Sequence, residues 1–197
     1  MNFHYKTTKN NPASFQKVSS LSLMTIFKKT IKLIVNGKYM YSVIFFISQL
    51  INIIFRLIKS QKYFYCNLCK SELSFFLHTS TTYKILFNSI CPNCSSRKRH
   101  RGLYELYKEQ LKRYKSLKIL HFAPEPVFYD LFNSFEYVTA DLMLSDVDIK
   151  LDIVNIDYKN NSFDLILCNH VLEHVKNHGK ALQELNRILN SSGKVII

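Results

Sequence analysis

The sequence predicts an α/β protein whose C-terminal part, residues 118–197, is a doubly wound parallel sheet of about five strands. In this part, apolar runs of strand length alternate with helical patterns, which is typical of parallel strands joined by crossover helices. Polar residues directly follow several of these apolar runs. The charge also changes near residue 118: residues 1–118 carry 21 Lys and Arg against 3 Asp and Glu, a net charge of +18, whereas residues 119–197 carry 6 against 11, a net charge of −5. The N-terminal part is therefore predicted to be a separate structure.

Length and composition limit the classes of protein to consider. The chain has 197 residues, of which 47% are hydrophobic, which suffices for one full domain and a small second one. It has only four glycines, too few for a glycine-rich phosphate loop. The basic N-terminal half suits an anionic partner such as membrane lipid or nucleic acid, although a solvated, lysine-rich surface would have the same composition.

The first segments are read from polarity and periodicity. Residues 1–20 are rich in Ser, Thr, Asn and Lys and are expected to be a disordered basic tail. Residues 21–62 form a basic and apolar helical segment. Its first helix spans residues 21–36, where apolar positions alternate with lysines, and it ends at Asn36-Gly37.

Residues 41–58 are the most apolar stretch, and their length lies near the lower limit for crossing a bilayer. Four polar residues interrupt them or follow them at spacings that place all four on one helical face, namely Gln49, Asn52, Arg56 and Lys59. Three interpretations remain open at this point. The helix packs against protein, lies on an anionic membrane surface, or spans the membrane.

Four of the five cysteines form two Cys-x2-Cys pairs, Cys66 with Cys69 and Cys91 with Cys94, separated by 21 residues. Two such turns can direct four thiolates to one centre, which is the ligand set of a structural zinc ion. Free or redox-active cysteines are the alternative. Because an odd number of cysteines with paired spacing is not typical of a disulfide framework, we expect residues 63–101 to be a zinc ribbon in a cytoplasmic protein.

A basic run, Arg97-Lys98-Arg99-His100-Arg101, follows the second pair directly. It could bind a phosphate or a substrate carboxylate, or it could be a solvated face. A connecting helix is predicted over residues 102–117 from the spacing of its apolar residues.

The predicted elements of the C-terminal part follow in order. They are a strand over 118–122, a helix over 127–133, a strand over 135–140, a short strand region over 147–153, a buried strand over 163–168, a helix over 180–190, a turn over 191–193 and a strand beginning at Lys194. No internal repeat is visible in the sequence.

Polar residues at the ends of these strands are the candidates for chemistry. Asn169 and His170 directly follow the buried strand, and ligands of open α/β sheets bind beyond the carboxyl ends of strands. The alternative is that Asn169 only caps the next helix. His170 is the one local candidate for a catalytic base, whereas Cys168 is expected to pack as a small hydrophobic residue.

Two acids extend this pattern. Asp141 follows the second predicted strand, where a carboxylate of a nucleotide-binding unit can accept hydrogen bonds from both ribose hydroxyls. Asp152 lies 11 residues further on, where a side chain could accept from an adenine amino group. Singly, each could be an ordinary loop acid, and their order along the strands makes them informative.

These residues resemble a class I S-adenosylmethionine-dependent methyltransferase, which has a Rossmann-like sheet. The resemblance covers residues 118–197 and rests on these segments: Asp141, Leu151-Asp152-Ile153, Asn161 to Ile166, Asn169 to Val175, and Ala181 to Gly193. Residues 63–197 as a whole resemble a subgroup in which a zinc ribbon, a basic turn and a His-x-Ala-Pro-Glu segment precede that domain.

The resemblance implies methyl transfer from S-adenosylmethionine to an unidentified small-molecule, glycan or macromolecular acceptor. It implies cofactor-binding roles for His121, Ala123, Glu125, Asp141, Asp152, Ile153, Asn169 and His170. Ala123 and Glu125 stand where the family usually has glycines, and we expect Glu125 to meet the ammonium group of the cofactor.

The family's sheet has seven strands, and this chain ends inside the fifth, so we expect a C-terminally truncated chain. Its last strand would then be a bare apolar edge. The alternative function is a zinc-ribbon module that binds nucleic acid or another anion beside a degenerate methyltransferase domain. In either case the protein would associate with membranes if residues 41–58 bind lipid.

Overall fold

The computed structural model describes residues 23–58 and 61–197. The chain divides into two compact units, an N-terminal unit, Met1–Tyr107, and a C-terminal unit, Lys108–Ile197. The tail predicted for residues 1–20 lies outside the described residues, as does Lys59.

The described helices and strands are numbered here in chain order. The N-terminal unit begins with α1 (Leu23–Val35), α2 (Tyr39–Ile58), β1 (Phe64–Cys66), β2 (Ser71–Leu73), β3 (Leu77–Ser80) and β4 (Ile85–Ile90), and α3 (Lys98–Leu111) begins in it. The C-terminal unit continues with β5 (Lys118–Phe122), α4 (Tyr129–Phe132), β6 (Glu136–Ala140), β7 (Phe163–Leu167), α5 (His178–Ile188) and β8 (Leu189–Ile196). Short 3-10 helices precede α4 at Pro126–Phe128 and α5 at Leu172–His174.

The N-terminal unit joins a helix pair to two antiparallel hairpins, β1–β2 and β3–β4. Helix α2 packs against α1 and against β3. The amide group of Asn52 on α2 bonds the backbone of β3 twice, because its Nδ2 donates to the carbonyl oxygen of His78 at 2.9 Å and its Oδ1 accepts from the amide nitrogen of His78 at 2.7 Å. Gln49 and Asn52 are therefore buried, whereas Arg56, which we expected on the same face, is exposed.

Helix α3 begins at Lys98, inside the basic run, four residues before the predicted connecting helix. Its start is stabilised by the backbone amide of Arg97, which donates to Nδ1 of His100 at 3.2 Å. A side chain at the third helical position that reaches back to the preceding amide is one half of a capping box. The boundary that we expected between residues 101 and 102 therefore falls within one helix.

The C-terminal unit is built on a parallel sheet, which in the described part of the chain has four strands in the order β6-β5-β7-β8. Strand β5 pairs with β6 so that Phe122 lies opposite Ala140, and with β7 so that His121 lies opposite Leu167. The three strands therefore end at the same edge of the sheet. The core comprises the apolar side chains of these strands and of α5, including Leu120, Val138, Phe163, Ile166 and Leu185.

The strand count corrects the expectation of about five, because residues 147–153 form no strand. They make only isolated bridges, Ala140 with Ile149 and Asp152 with Asn155. The carboxylate of Asp148 instead accepts hydrogen bonds from both the backbone nitrogen and the hydroxyl of Thr139, at 2.8 and 2.7 Å. Side-chain bonds to the backbone compete with a strand ladder, and here they hold this segment against β6.

A second correction concerns residues 191–193, which we expected to form a turn before the last strand. They lie within β8, which begins at Leu189 directly after α5. The register shifts there, because Leu189 lies opposite Phe163 whereas Lys194 lies opposite Leu165. A Cβ atom at Gly193 would lie 2.8 Å from the side chain of Leu189, so the irregular stretch requires glycine.

Helix α5 begins at His178 and ends at Ile188, two residues earlier at each end than predicted. Asn177 caps it, because its Oδ1 accepts from the amide of Lys180 at 3.0 Å. Near its C-terminus, the guanidinium of Arg187 donates to Glu184 and to the backbone carbonyls of Ile156 and Tyr158. These bonds connect α5 to the loop that leads into β7.

Candidate cofactor edge and metal centre

The carboxyl ends of β5, β6 and β7 bring four of the eight predicted cofactor residues to one edge of the sheet. Ala123 follows β5, Asp141 follows β6, and Asn169 and His170 come two and three residues after β7. Because the strands are parallel and adjacent in the order β6-β5-β7, these residues are neighbours along the edge. This is the position at which open α/β sheets bind ligands. We call it the cofactor edge.

Ala123 adopts the left-handed backbone conformation, with a φ of 47°. Glycine favours that region, and alanine takes it at a cost of about 1–2 kcal/mol. The amide of Ala123 donates to the carbonyl oxygen of Ala140 at 2.9 Å, which extends the pairing of β5 with β6 by one bond. Alanine thus occupies a turn position whose backbone conformation glycine adopts more readily. The side chain at this position is only a methyl group.

Asp141 is half-buried and one of its oxygens is already used. Its Oδ1 accepts from the amides of Met143 and Leu144, at 2.6 and 2.7 Å, and so closes the turn after β6. The backbone amide of Asp141 donates to the carbonyl oxygen of Ile149 at 3.3 Å. The carboxylate makes no other hydrogen bond within the described residues, which leaves Oδ2 as an acceptor for a ligand. The sequence predicted the acceptor but not its second task in the turn.

Asp152 and Ile153 follow Ile149, which pairs in parallel with Ala140, the last residue of β6. The Oδ1 of Asp152 accepts from the amide of Val154 at 3.0 Å, again closing a local turn. The side chain of Ile153 is 6% exposed and belongs to the core. The predicted contact of Asp152 with the adenine and the predicted cofactor contact of Ile153 stay predictions.

Asn169 does not cap the 3-10 helix that follows it, because the cap position is Val171, which makes no side-chain hydrogen bond there. His170 has a φ of 57°, and its exposed ring places Nδ1 3.5 Å from Oε1 of Glu173. Cys168, just before them, is fully buried, and burial raises the pKa of its thiol to about 12. The thiol is therefore neutral at physiological pH and packs as a small hydrophobic residue, in agreement with the sequence.

His121 lies on β5, behind the cofactor edge, and its side chain is buried. Its Nδ1 is 2.8 Å from the hydroxyl of Tyr137, and its ring also packs edge-on against Phe132. Burial lowers the pKa of His121 to about 4, although the charge of Glu125 acts in the opposite direction. A neutral, buried imidazole contributes to the core, and the sequence offered no signal for its pairing with a tyrosine 16 residues away.

The four paired cysteines converge in the N-terminal unit. The Sγ atoms of Cys66, Cys69, Cys91 and Cys94 all lie within 4.8 Å of one another. Cys66 and Cys94 are 3.7 Å apart, as are Cys69 and Cys91, which is far longer than a disulfide bond of about 2 Å. This cluster could hold one metal ion.

The two cysteine turns have matching backbones. The residue after each pair, Lys70 or Ser95, lies in the left-handed region, with φ values of 54° and 60°. Hydroxyl groups surround the sulfur atoms, with the Oγ of Ser96 3.1 Å from Cys94 and that of Ser71 3.4 Å from Cys69. Hydrogen bonds from Cys91 and Cys94 lower the pKa of Cys66, whereas the bond to Cys66 raises the pKa of Cys94 to about 11.

The basic run after the second pair divides into two parts. Arg97, Lys98 and Arg99 are exposed, whereas His100 is buried. Arg101 turns towards the hairpins, where its guanidinium donates to the carbonyl oxygen of Ser96 at 2.9 Å and lies 4.1 Å from the ring centre of Phe76. Of the five basic residues that we considered as an anion-binding site, His100 and Arg101 therefore have structural roles.

Together the open parallel sheet and the polar residues at its edge define a Rossmann-like α/β unit with a candidate ligand site at that edge. The sequence agrees with this class, because residues 138–197, from β6 to the end of the chain, match a family model described as "Methyltransferase domain". The match excludes β5 and the whole N-terminal unit.

Among curated proteins, an uncharacterized protein of Methanocaldococcus jannaschii is 40% identical over 78 residues, which cover 36% of this chain and 34% of that protein. The chain therefore spans about a third of the length of this relative. Among solved structures, the PH0226 protein of Pyrococcus horikoshii is 22% identical, with a TM-score of 0.41, and covers 50% of this chain and 57% of that one. The trans-methyltransferase CalH in complex with SAH is 17% identical, with a TM-score of 0.39, and covers 46% and 34%. At this similarity neither structure identifies the activity.

Proposed function

We propose that the C-terminal unit binds S-adenosylmethionine at the cofactor edge and transfers its methyl group to an acceptor. The observation that carries this proposal is the meeting of Ala123, Asp141 and Asn169 at the ends of three adjacent parallel strands. It is supported by the methyltransferase-domain match, which begins in β6 and includes two of those three strand ends.

The chemistry of the donor set fits this cofactor. The remaining oxygen of Asp141 is a charged acceptor for ribose hydroxyls, and its carboxylate is held in place by two backbone bonds. The turn at Ala123 has only a methyl side chain, so a ligand can approach the backbone closely. Glu125 follows two residues later and is the candidate to meet the cofactor's ammonium group.

When bound, S-adenosylmethionine supplies an electrophilic methyl group on sulfur. The task of the chain is mainly to hold cofactor and acceptor in line, which by itself lowers a barrier substantially. Asp141 orients the ribose, and the turn at Ala123 determines how closely the ligand reaches the sheet. His170 presents an exposed ring at the same edge and is the candidate to take a proton from the acceptor.

We also propose that the cysteine cluster of the N-terminal unit holds one structural zinc ion. Zinc–thiolate bonds of about 2.3 Å in a tetrahedron place the sulfur atoms about 3.8 Å apart. Two of the distances between the sulfur atoms are 3.7 Å and all are within 4.8 Å, so a movement of about 1 Å or less would suffice. All four ligand positions are taken by cysteine, and such closed sites are structural and not catalytic.

The test of the methyltransferase proposal is equilibrium dialysis of the chain against labelled S-adenosylmethionine. We expect saturable binding of about one molecule per chain, displaced by S-adenosylhomocysteine, because the cofactor edge is a single site. A folded chain that shows no saturable binding would overturn the proposal. The same samples measured with nucleic acid test the alternative module, which requires an affinity that falls steeply with added salt.

A further inference from the structure

Helix α2 has its polar side buried and its apolar side exposed. Its buried residues are Ser42, Phe45, Ser48, Gln49 and Asn52, four of which are polar. Its exposed residues include eight large apolar ones, namely Met40, Val43, Phe46, Ile47, Leu50, Ile54, Leu57 and Ile58. A surface helix of a protein in water shows the reverse arrangement.

The buried polar groups of α2 are bonded, so the arrangement is built and not accidental. The hydroxyl of Ser48 donates to the carbonyl oxygen of Phe45 at 2.7 Å and accepts from the side-chain Nε2 of Gln49 at 3.2 Å. Asn52 makes its two bonds to His78 of β3, and Phe55 packs edge-on against the rings of Phe75 and His78. These contacts hold the polar side of α2 inward.

Helix α1 extends the exposed apolar surface. It buries Ile26 and exposes five apolar side chains, which are Met24, Phe27, Ile31, Ile34 and Val35. Thirteen exposed large apolar side chains on two helices that pack against each other mark a site that another apolar phase covers. The apolar face is the name used here for the exposed apolar residues of α1 and α2 together.

The charges beside the apolar face are of one sign. Residues 23–58 contain five basic residues, Lys28, Lys29, Lys32, Lys38 and Arg56, and no Asp or Glu. All five are exposed, and Lys62 follows as a sixth exposed cation. Lys28 and Lys32 lie four residues apart, on a side of α1 next to its apolar side. An apolar face flanked by basic residues complements the acyl chains and headgroups of an anionic membrane.

Length and composition alone would let Tyr39–Ile58 cross a bilayer, but 22% of its most apolar window is buried against protein. Its inner side is bonded to β3, which is paired with β4. The β3–β4 hairpin carries exposed polar groups, including Lys84 in its turn. A spanning α2 would draw this hairpin into the hydrocarbon core, where unpaired polar groups are costly.

We propose that α1 and α2 lie in the plane of an anionic membrane surface, with the apolar face in the lipid and the hairpins on the aqueous side. The proposal does not depend on the activity of the C-terminal unit. It explains the excess positive charge of the N-terminal half by contact with anionic lipid. It explains the buried polar residues of α2 as the side chains that attach the hairpins to this helix.

The test is sedimentation of the purified full chain with vesicles of phosphatidylcholine plus phosphatidylglycerol, and with vesicles of phosphatidylcholine alone. We expect binding to both, with the anionic vesicles preferred. Ile47→Asp combined with Ile54→Asp should weaken partitioning to either vesicle by at least about tenfold, because two exposed apolar contacts are replaced by charges. Leu182→Asp, an equally exposed leucine on α5, is the matched control and should change nothing.

Charge is tested separately with Lys28→Glu combined with Lys32→Glu. Reversing two cations near an anionic surface should weaken binding to the anionic vesicles by about tenfold or more, and should leave binding to phosphatidylcholine nearly unchanged. All substituted positions are exposed, so circular dichroism should show an unaltered fold.

Four results would overturn the proposal. The unsubstituted chain could stay in the supernatant with anionic vesicles, or the Ile47 and Ile54 variant could sediment as the unsubstituted chain does. Resistance to extraction by alkaline carbonate would show that α2 spans the bilayer. A dimer in light scattering that the Ile47 and Ile54 substitutions convert to a monomer would show that a second copy of the chain covers the apolar face.

Discussion

Replacing Cys66 by serine is expected to unfold the two hairpins of the N-terminal unit. Strands β1 and β2 have three residues each, and the core between the hairpins has five buried residues, of which three are cysteines of the cluster. So small a core cannot hold four thiols together without a metal. Structural zinc sites of small domains contribute on the order of 10 kcal/mol to folding, which exceeds the stability of most domains.

The measurement is zinc content together with limited proteolysis over residues 61–97. The unsubstituted chain should carry about one zinc per molecule and resist cleavage there. Cys66→Ser, or removal of the metal by a chelator, should abolish zinc binding and open the hairpins, while the C-terminal sheet keeps its circular dichroism. Cys168→Ala is the control, since the fifth cysteine lies outside the cluster. Metal-free protein with protected hairpins would disprove the structural role.

The free energy of unfolding of the C-terminal unit is expected to fall by about 3 kcal/mol as the pH falls from about 6.5 to about 4, because of His121. The unfolded imidazole takes up a proton near pH 6.5, whereas burial lowers the pKa of the folded one to about 4. In this window the unfolded chain binds more protons than the folded one. Protonation therefore favours unfolding, and this contribution is fully present above pH 6.5 and lost as the pH falls through 4.

Urea unfolding followed by circular dichroism over this pH range measures the effect. The double variant His121→Phe with Tyr137→Phe removes the titrating group and its partner together, which avoids leaving a polar atom unpaired. It should lose most of the pH dependence in this window. His178→Gln, at an exposed histidine, should keep it. If the free energy of unfolding falls equally in the double variant and in the unsubstituted chain over this pH range, His121 is not the cause of the fall.

Most of the sheet could be predicted from the sequence because apolar runs bounded by polar residues are local signals. The predicted strands at 118–122, 135–140 and 163–168 agree with β5, β6 and β7 to within one residue at each end. The same signal failed at 147–153, where pairing with β6 is limited to a bridge at Ile149 and the side chain of Asp148 bonds to Thr139. That interaction joins two separate segments, so the sequence of neither segment alone indicates it.

The orientation of helices was less predictable than their positions. The sequence placed Gln49 and Asn52 on a common face, but it could not show whether that face meets protein or water. The answer came from His78, 26 residues beyond Asn52, which offers both a donor and an acceptor. Both residues are buried at little cost because their side-chain amides are hydrogen-bonded.

The candidate sites also differ in how much of each could be predicted from the sequence. The cluster of four cysteines could be predicted because the spacing of cysteines in each turn determines where the thiols point. The cofactor edge could be predicted in outline, since strand order brings Ala123 and Asp141 together. The left-handed conformation of Ala123 could not, because alanine is not typical of that region.

The central claim is that the carboxylate of Asp141 holds the ribose of S-adenosylmethionine. Asp141→Asn tests it more sharply than a change to alanine. An asparagine keeps the Oδ1 that accepts from Met143 and Leu144, so the turn after β6 is preserved. Only the charge and the second acceptor oxygen are lost, because an NH2 group replaces Oδ2. Asp146→Asn, at an exposed acid of the same loop, is the matched control.

The direct measurement is calorimetric titration of S-adenosylmethionine into the unsubstituted chain, Asp141→Asn and Asp146→Asn. A charged acceptor that bonds hydroxyl groups contributes about 1.5–3 kcal/mol, so Asp141→Asn should bind the cofactor about ten- to a hundredfold more weakly than the unsubstituted chain. Asp146→Asn should bind as the unsubstituted chain does. Equal affinity of Asp141→Asn and the unsubstituted chain for the cofactor would contradict the assignment of the ribose site to the end of β6.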